Sequence, residues 1–153
     1  GNFMYEIIEE VNNSRNNYQN NSRNNSHEIV LIDSEELINS TIFIDEKLGR
    51  NIFINLLDNA LKFSPEANKV VVELSSEKKY TVIKIQDFGI GIPKAELTNI
   101  FTPFTRGKNV DLIQGTGLGL SIAKEAVNLI GGKIMVNSTI DKGTTFIVKI
   151  PNV

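Results

Sequence analysis

Cysteine is absent from this 153-residue chain, and histidine occurs once, at His27. These absences exclude disulfides, thiolate metal sites and any histidine-rich metal site. A metal would therefore be held by oxygen, which favours magnesium or a similarly hard ion. No apolar run approaches the roughly 20 residues needed to span a bilayer, and no basic-then-apolar segment opens the chain. An excess of positive charge is missing too. The 16 basic and 18 acidic side chains leave a net charge of -2, a mixed solvated surface that gives nucleic-acid binding no support. The length suits one domain with a substantial core. The expectation is a soluble domain of intracellular, cytoplasmic character, compatible with a longer, membrane-bound parent.

Apolar residues at Phe3, Ile7, Ile8 and Val11 have the spacing of an amphipathic helix. From Asn12 to Ser26 the chain is Asn/Ser-rich with almost nothing to bury, the composition of a linker. The expected division is therefore residues 1–26 as a connecting-helix remnant and linker, and 27–153 as the folded body. Short strands are expected at Glu28–Ile32 and Thr41–Ile44, then a long helix over Asp45–Phe63 with Asp45 as N-cap and Pro65 beyond its end. Lys69–Leu74 and Tyr80–Asp87 predict a hairpin, and Pro93 a short helix to about Ile100. Phe101–Gln114 has no clear period and the length of a lid loop. Leu118–Ile130 predicts a helix stopped by Gly131-Gly132, followed by a hairpin of Lys133–Val136 and Thr144–Ile150. These elements make an α+β fold, a two-layer sandwich with a mixed sheet covered on one face by about three helices.

Three segments carry chemistry. In the first, Asn55, Asn59 and Lys62 fall at i, i+4 and i+7, so they share a helical stripe. Two carboxamides one turn apart can offer carbonyl oxygens to a hydrated magnesium without adding negative charge, and a lysine beside them can neutralise a phosphate oxygen. In the second, Asp87 ends a core-facing row with Ile83 and Ile85, an expensive place for a charge without partners. It is followed by Gly89 and Gly91, which let a planar ligand approach the backbone while the carboxylate accepts from an amino group. In the third, Gly115-Thr116-Gly117-Leu118-Gly119-Leu120 opens a helix, where amides and dipole favour an anion. Arg106 and Lys108 precede it in the loop. Each segment alone has a plainer reading: asparagines satisfying backbone, an Asp-Phe-Gly turn, a glycine hinge, solvated loop charges. The protein-kinase sense of Asp-Phe-Gly is discarded, since neither a preceding glycine-rich loop nor a His-Arg-Asp loop is present. His27 reads as a surface residue, and Phe101 and Phe104 as packing at the lid base.

With all three segments in order, the chain from about Glu28 to Ile150 resembles the ATP-binding catalytic domain of bacterial sensor histidine kinases, in the superfamily of DNA gyrase, heat-shock protein 90 and MutL. Asn55–Phe63 is similar to the family's N box, Asp87–Gly91 to its first glycine box, Phe101–Phe104 to its F box, Gly115–Leu120 to its second glycine box, and Gly143-Thr144-Thr145-Phe146 to its closing Gly-Thr box. The resemblance implies a Bergerat-type fold and ATP as ligand. It implies magnesium at Asn59 and Asn55, adenine at Asp87 with Thr145 nearby, and a mobile lid from about Phe104 to Thr116. Further nucleotide contacts would come from Lys62, Phe63, Gly89, Gly91, Ile92, Phe101, Arg106, Gly115, Thr116, Gly117, Leu118, Gly119 and Leu120.

Gyrase-like ATPases carry a glutamate base where this chain has Asn55. A water nucleophile needs that base at pH 7. A histidine acceptor, with an unperturbed pKa of about 6.5, is already largely neutral and nucleophilic. The reading is thus a protein-histidine kinase domain, with Asn55, Asn59 and Lys62 as its catalytic side chains. Its expected partners are a dimerisation and phosphoacceptor helical domain of the same protein and a response-regulator receiver domain. The fragment is expected to be monomeric and its parent a homodimer. His27-Glu28 runs into strand-like Ile-Val-Leu-Ile without a proline, so it is not assigned as the acceptor. The alternatives are a nucleotide-dependent interaction module descended from a kinase and a gyrase-like ATPase.

Overall fold

The computed structural model describes residues 2–18, 28–34, 43–63, 69–103 and 118–152. Among the described residues the elements are α1 (Asn2–Tyr18), β1 (Glu28–Asp33), α2 (Glu46–Lys62), β2 (Lys69–Glu77), β3 (Tyr80–Asp87), α3 (Gly119–Leu129), β4 (Lys133–Thr139) and β5 (Gly143–Pro151), with a 3-10 turn at Lys94–Glu96. Among the described residues the strands form one sheet in the order β1-β2-β3-β5-β4. β1 runs parallel to β2, and the other neighbours are antiparallel. Three helices lie on one face of this mixed sheet, which is the expected α+β sandwich.

Period two explains how the sheet meets the helices. Val70, Val72 and Leu74 of β2, Ile83 and Ile85 of β3, Phe146, Val148 and Ile150 of β5 and Ile134 of β4 all point inward. Ile52, Phe53, Leu56, Leu57, Ala60 and Leu61 of α2 and Ala123, Ala126 and Val127 of α3 pack against them. α2 starts where its N-cap is expected: Asp45 Oδ1 accepts from the Leu48 amide at 3.1 Å.

Several boundaries differ from the sequence-based expectation. α1 continues through Asn12–Tyr18, part of the stretch read as linker. The cause is tertiary: Met4, Ile7, Ile8 and Val11 are buried in the same core as α2, and a helix docked by one face tolerates a polar continuation. Phe43 and Ile44 are not in a strand, while the rest of the expected strand at 41–44 lies outside the described residues. β2 runs three residues further than expected, to Glu77, because Lys78 adopts φ 50 and closes a tight turn with Lys79. The expected helix from Pro93 to Ile100 is reduced to the turn at Lys94–Glu96.

Candidate functional site

Four stretches of sequence converge where β3 ends. Asp87 closes the inward row of β3 and is 2% exposed. Its Oδ1 accepts from the Gly89 amide at 3.0 Å and from the Thr144 amide at 3.2 Å. Burial pushes the carboxyl up to about 6, with the two amides pulling the other way. Both amides occupy one oxygen, which orients the carboxylate and leaves its second oxygen as the acceptor for an incoming donor.

The loop after Asp87 is tied on two sides. The Ile90 amide donates to the Phe63 carbonyl at 3.1 Å, joining this loop to the end of α2, and the Ile90 carbonyl accepts from Asp141 at 2.9 Å, joining it to the β4–β5 turn. Glycine is required at two points of that junction. Gly91 has φ 71, and a Cβ there would lie 2.2 Å from the Thr139 carbonyl oxygen. Gly143 has φ 116, and its Cβ would lie 2.1 Å from the Asp87 carbonyl oxygen.

On α2, Asn55 and Asn59 are both half-buried, and Lys62, in the last turn, is exposed. The Asn55 amide nitrogen donates to the Asn51 carbonyl at 2.5 Å. Its Oδ1 faces Gly119, where an added Cβ would lie 3.3 Å from that oxygen. The first segment therefore abuts the start of α3, and the amide presents its carbonyl there. Leu118, the N-cap of α3, makes no side-chain cap, and the positive end of this 11-residue helix's dipole lies beside Asn55. No group of three or more His, Asp or Glu side chains able to hold a metal exists among the described residues. The candidate donors for a cation on α2 are the neutral carboxamides of Asn55 and Asn59, which would suit a hydrated hard ion brought in with anionic ligands.

The structure brings together Asn55, Leu118 and Gly119 on one side, and Phe63, Asp87, Gly89, Gly91 and Ile92 on the other, joined through α2. Thr145 pairs with Gln86 and Asn137, and its neighbour Thr144 holds Asp87, because the inward face at this register belongs to even-numbered residues of β5. Phe101 packs edge-on against Phe146, with ring centroids 6.2 Å apart, and Lys124 lies over its ring. Its described contacts are packing contacts. Leu120 is half-buried beside the core. Phe104, Arg106, Lys108, Gly115, Thr116 and Gly117, and with them the expected lid, lie outside the described residues, as does His27. Sequence reading missed Ser138, whose hydroxyl meets Ile92, Gly143 and Thr144. Its only signal was its place in the inward row of β4 opposite Thr144.

The family model described as "Histidine kinase-, DNA gyrase B-, and HSP90-like ATPase" matches residues 44–153. The chain belongs to that family. Among its relatives, the circadian input-output histidine kinase CikA of Synechococcus elongatus is 40% identical over 109 residues, which is 70% of this chain and 14% of CikA. Sensor histidine kinase YvrG of Bacillus subtilis is 37% identical over 123 residues, 80% of this chain and 21% of YvrG. The chain thus spans 14% and 21% of the length of these two relatives. Of the solved structures, a mycobacterial sensor histidine kinase MprB superimposes with a TM-score of 0.80 at 25% identity, covering 99% of this chain and 94% of that one. Full-length ShkA in complex with AMPPNP shares the fold at a TM-score of 0.80 and 24% identity, covering 99% of this chain and 30% of that one.

Proposed function

We propose that this chain is the ATP-binding catalytic domain of a two-component sensor histidine kinase, holding ATP with magnesium so that the γ-phosphoryl passes to a histidine on a separate helical dimerisation domain. The observation that carries this is the buried Asp87, oriented through one oxygen by the Gly89 and Thr144 amides. A buried carboxylate held in this way accepts from a neutral amino group such as the 6-amino of adenine, and a carbonyl at the same place on guanine would meet it acceptor to acceptor. Membership of a family described as ATPases and similarity to sensor histidine kinases support the same reading.

The phosphate end lies between α2 and the start of α3. Amides at the α3 N-terminus suit phosphate oxygens, with the Gly115–Leu120 segment leading into them. Lys62 is in reach of solvent at the end of α2 and offsets phosphate charge. Asn55 and Asn59 would hold magnesium through their carbonyl oxygens. When bound, the ion would neutralise charge on the phosphate oxygens and orient them. Asn55 cannot take a proton from water at neutral pH, and its amide nitrogen is already engaged with Asn51. The site therefore lacks a base for hydrolysis at this position and suits an acceptor that is nucleophilic without one. In the transfer, a histidine nitrogen forms the N–P bond, the bond from the γ-phosphorus to the bridging oxygen breaks, and ADP leaves.

On this reading the parent is a cytoplasmic-facing homodimer with a response-regulator receiver domain as downstream partner. Among the described residues no helix is long and apolar enough to cross a membrane. Calorimetric titration with magnesium-ATP tests the site: native affinity should exceed that of Asp87→Asn, and equal affinities would remove the adenine assignment. Mixing the chain with its cognate helical hairpin and labelled ATP tests the reaction. Label on the hairpin's histidine is expected; its absence, with ATP still bound, would favour an interaction module.

A further inference from the structure

Ser138 sits in the inward row of β4, directly opposite Thr144, at a junction to which the sequence motifs contribute only one side. Its Oγ accepts from the Ile92 amide at 2.7 Å, lies 3.0 Å from the Gly143 carbonyl and 2.8 Å from the Thr144 hydroxyl. A serine hydroxyl has one proton and two lone pairs. All three contacts are satisfied in a single arrangement: Ile92 N–H and Thr144 O–H donate to Ser138, and Ser138 donates to the Gly143 carbonyl. The hydroxyl is then saturated, and its partners come from two walls of the Asp87 site, the glycine loop and the start of β5. Ile92 follows the Gly89–Gly91 loop, Gly143 presses on the Asp87 carbonyl, and the Thr144 amide holds Asp87 Oδ1.

We propose that Ser138 is a positioning residue for nucleotide binding, acting through Thr144 and Ile92 to hold the Asp87 carboxylate and its glycine loop in the binding geometry. This rests on the nucleotide-site reading above. Backbone pairing alone does not do this. Register pairing of β4 with β5 ends at Thr139 and Gly143, and Ile92 lies outside any strand, so the serine hydroxyl is the described link from β4 to the loop's far end. Removing it strands an N–H, a carbonyl and a hydroxyl and loosens the start of β5, which carries the Thr144 amide.

The test is calorimetric titration of the full chain with magnesium-ATP well below its melting temperature, for native, Ser138→Ala, Ser138→Thr, Ser138→Cys and Asp87→Asn. Ser138→Ala should bind about tenfold more weakly while fully folded, and Ser138→Thr, which keeps the hydroxyl, should bind within about twofold of native. Ser138→Cys, a poorer hydrogen-bonding group of similar size, should fall between. A merely structural serine would lower the melting temperature and leave the affinity of the folded chain unchanged. Native affinity in Ser138→Ala overturns the proposal, as does native affinity in Ser138→Cys should the alanine variant fail to fold. A loss in Ser138→Thr as large as in Ser138→Ala also overturns it, because the effect would then lie in packing. Failure of the underlying nucleotide site would be read separately, from a native chain that does not bind or an Asp87→Asn that binds equally well.

Discussion

Asp87 is where binding and stability oppose each other. Burial raises its pKa from an ordinary value of about 3.9 to about 6, so the free fold prefers the neutral acid. The stability this confers is complete below about pH 4 and is lost as pH rises through about 6. At pH 8 the carboxylate is ionised at a cost that linkage puts at up to about 3 kcal/mol. Asp87→Asn keeps an acceptor for the Gly89 and Thr144 amides and removes that cost. Its melting temperature without nucleotide should therefore rise at pH 8, by up to about 6–12 °C on the usual scaling, and the gain should vanish near pH 4 in a calorimetric scan. The same change turns the second oxygen into an amino donor facing the adenine amino group, and affinity should drop about 10- to 100-fold. On the proposed reading, ATP binding to native protein uses the ionised form, so affinity should weaken as pH falls through 6. Phosphate titration contributes equally to Asp87→Asn, so the difference between the two proteins isolates the carboxylate.

Among the elements, α1 separates burial from charge. Ile7 is fully buried between α1 and the core, and Phe3 sits over Gly49 of α2, where an added Cβ would lie 2.7 Å from its ring. Arg50 of α2 reaches both Glu10 of α1 and Glu46. The ion pairs catch the eye, but they are solvent-exposed and screened, and such pairs contribute little. Ile7→Ala deletes buried methyl groups and leaves a cavity, at a cost of about 2–5 kcal/mol. Urea unfolding should show that Ile7→Ala is much the more damaging of the two and that the effect of Arg50→Ala shrinks in high salt. Comparable losses for both would contradict the view that α1 is held by its apolar face.

For the molecule as a whole, the site exists only when the sandwich is assembled, since Asp87 and Thr144 are 57 residues apart in the chain. A ligand that binds such a site stabilises the entire fold by mass action. At a hundredfold excess over Kd, magnesium-ATP should add about 2.7 kcal/mol, a rise of about 5–11 °C in melting temperature for a domain of this size. Chelating the magnesium with EDTA should shrink that rise for native protein. In Asn59→Ala, where one of the two candidate metal ligands is gone, EDTA should make less difference. An identical EDTA effect in both would remove Asn59 from the metal.

The sequence by itself determined the sandwich and picked out the residues proposed to carry chemistry. Period two on β2, β3 and β5 and period 3.6 on α2 and α3 specify which faces meet, and Asn55, Asp87 and the glycine-rich segments are legible because each is a costly or unusual choice where it stands. Local signals failed where a long-range contact outweighed them. The length of α1 followed from docking against α2, and the bond from the Thr144 amide to Asp87 followed from a register that only the neighbouring strands impose. Ser138 left no mark as a motif. A lone serine in a strand says nothing until Ile92, Gly143 and Thr144, from two other parts of the chain, are brought within hydrogen-bonding distance of its hydroxyl. Tertiary structure decided that, because a hydrogen bond between segments distant in sequence depends on their positions in space.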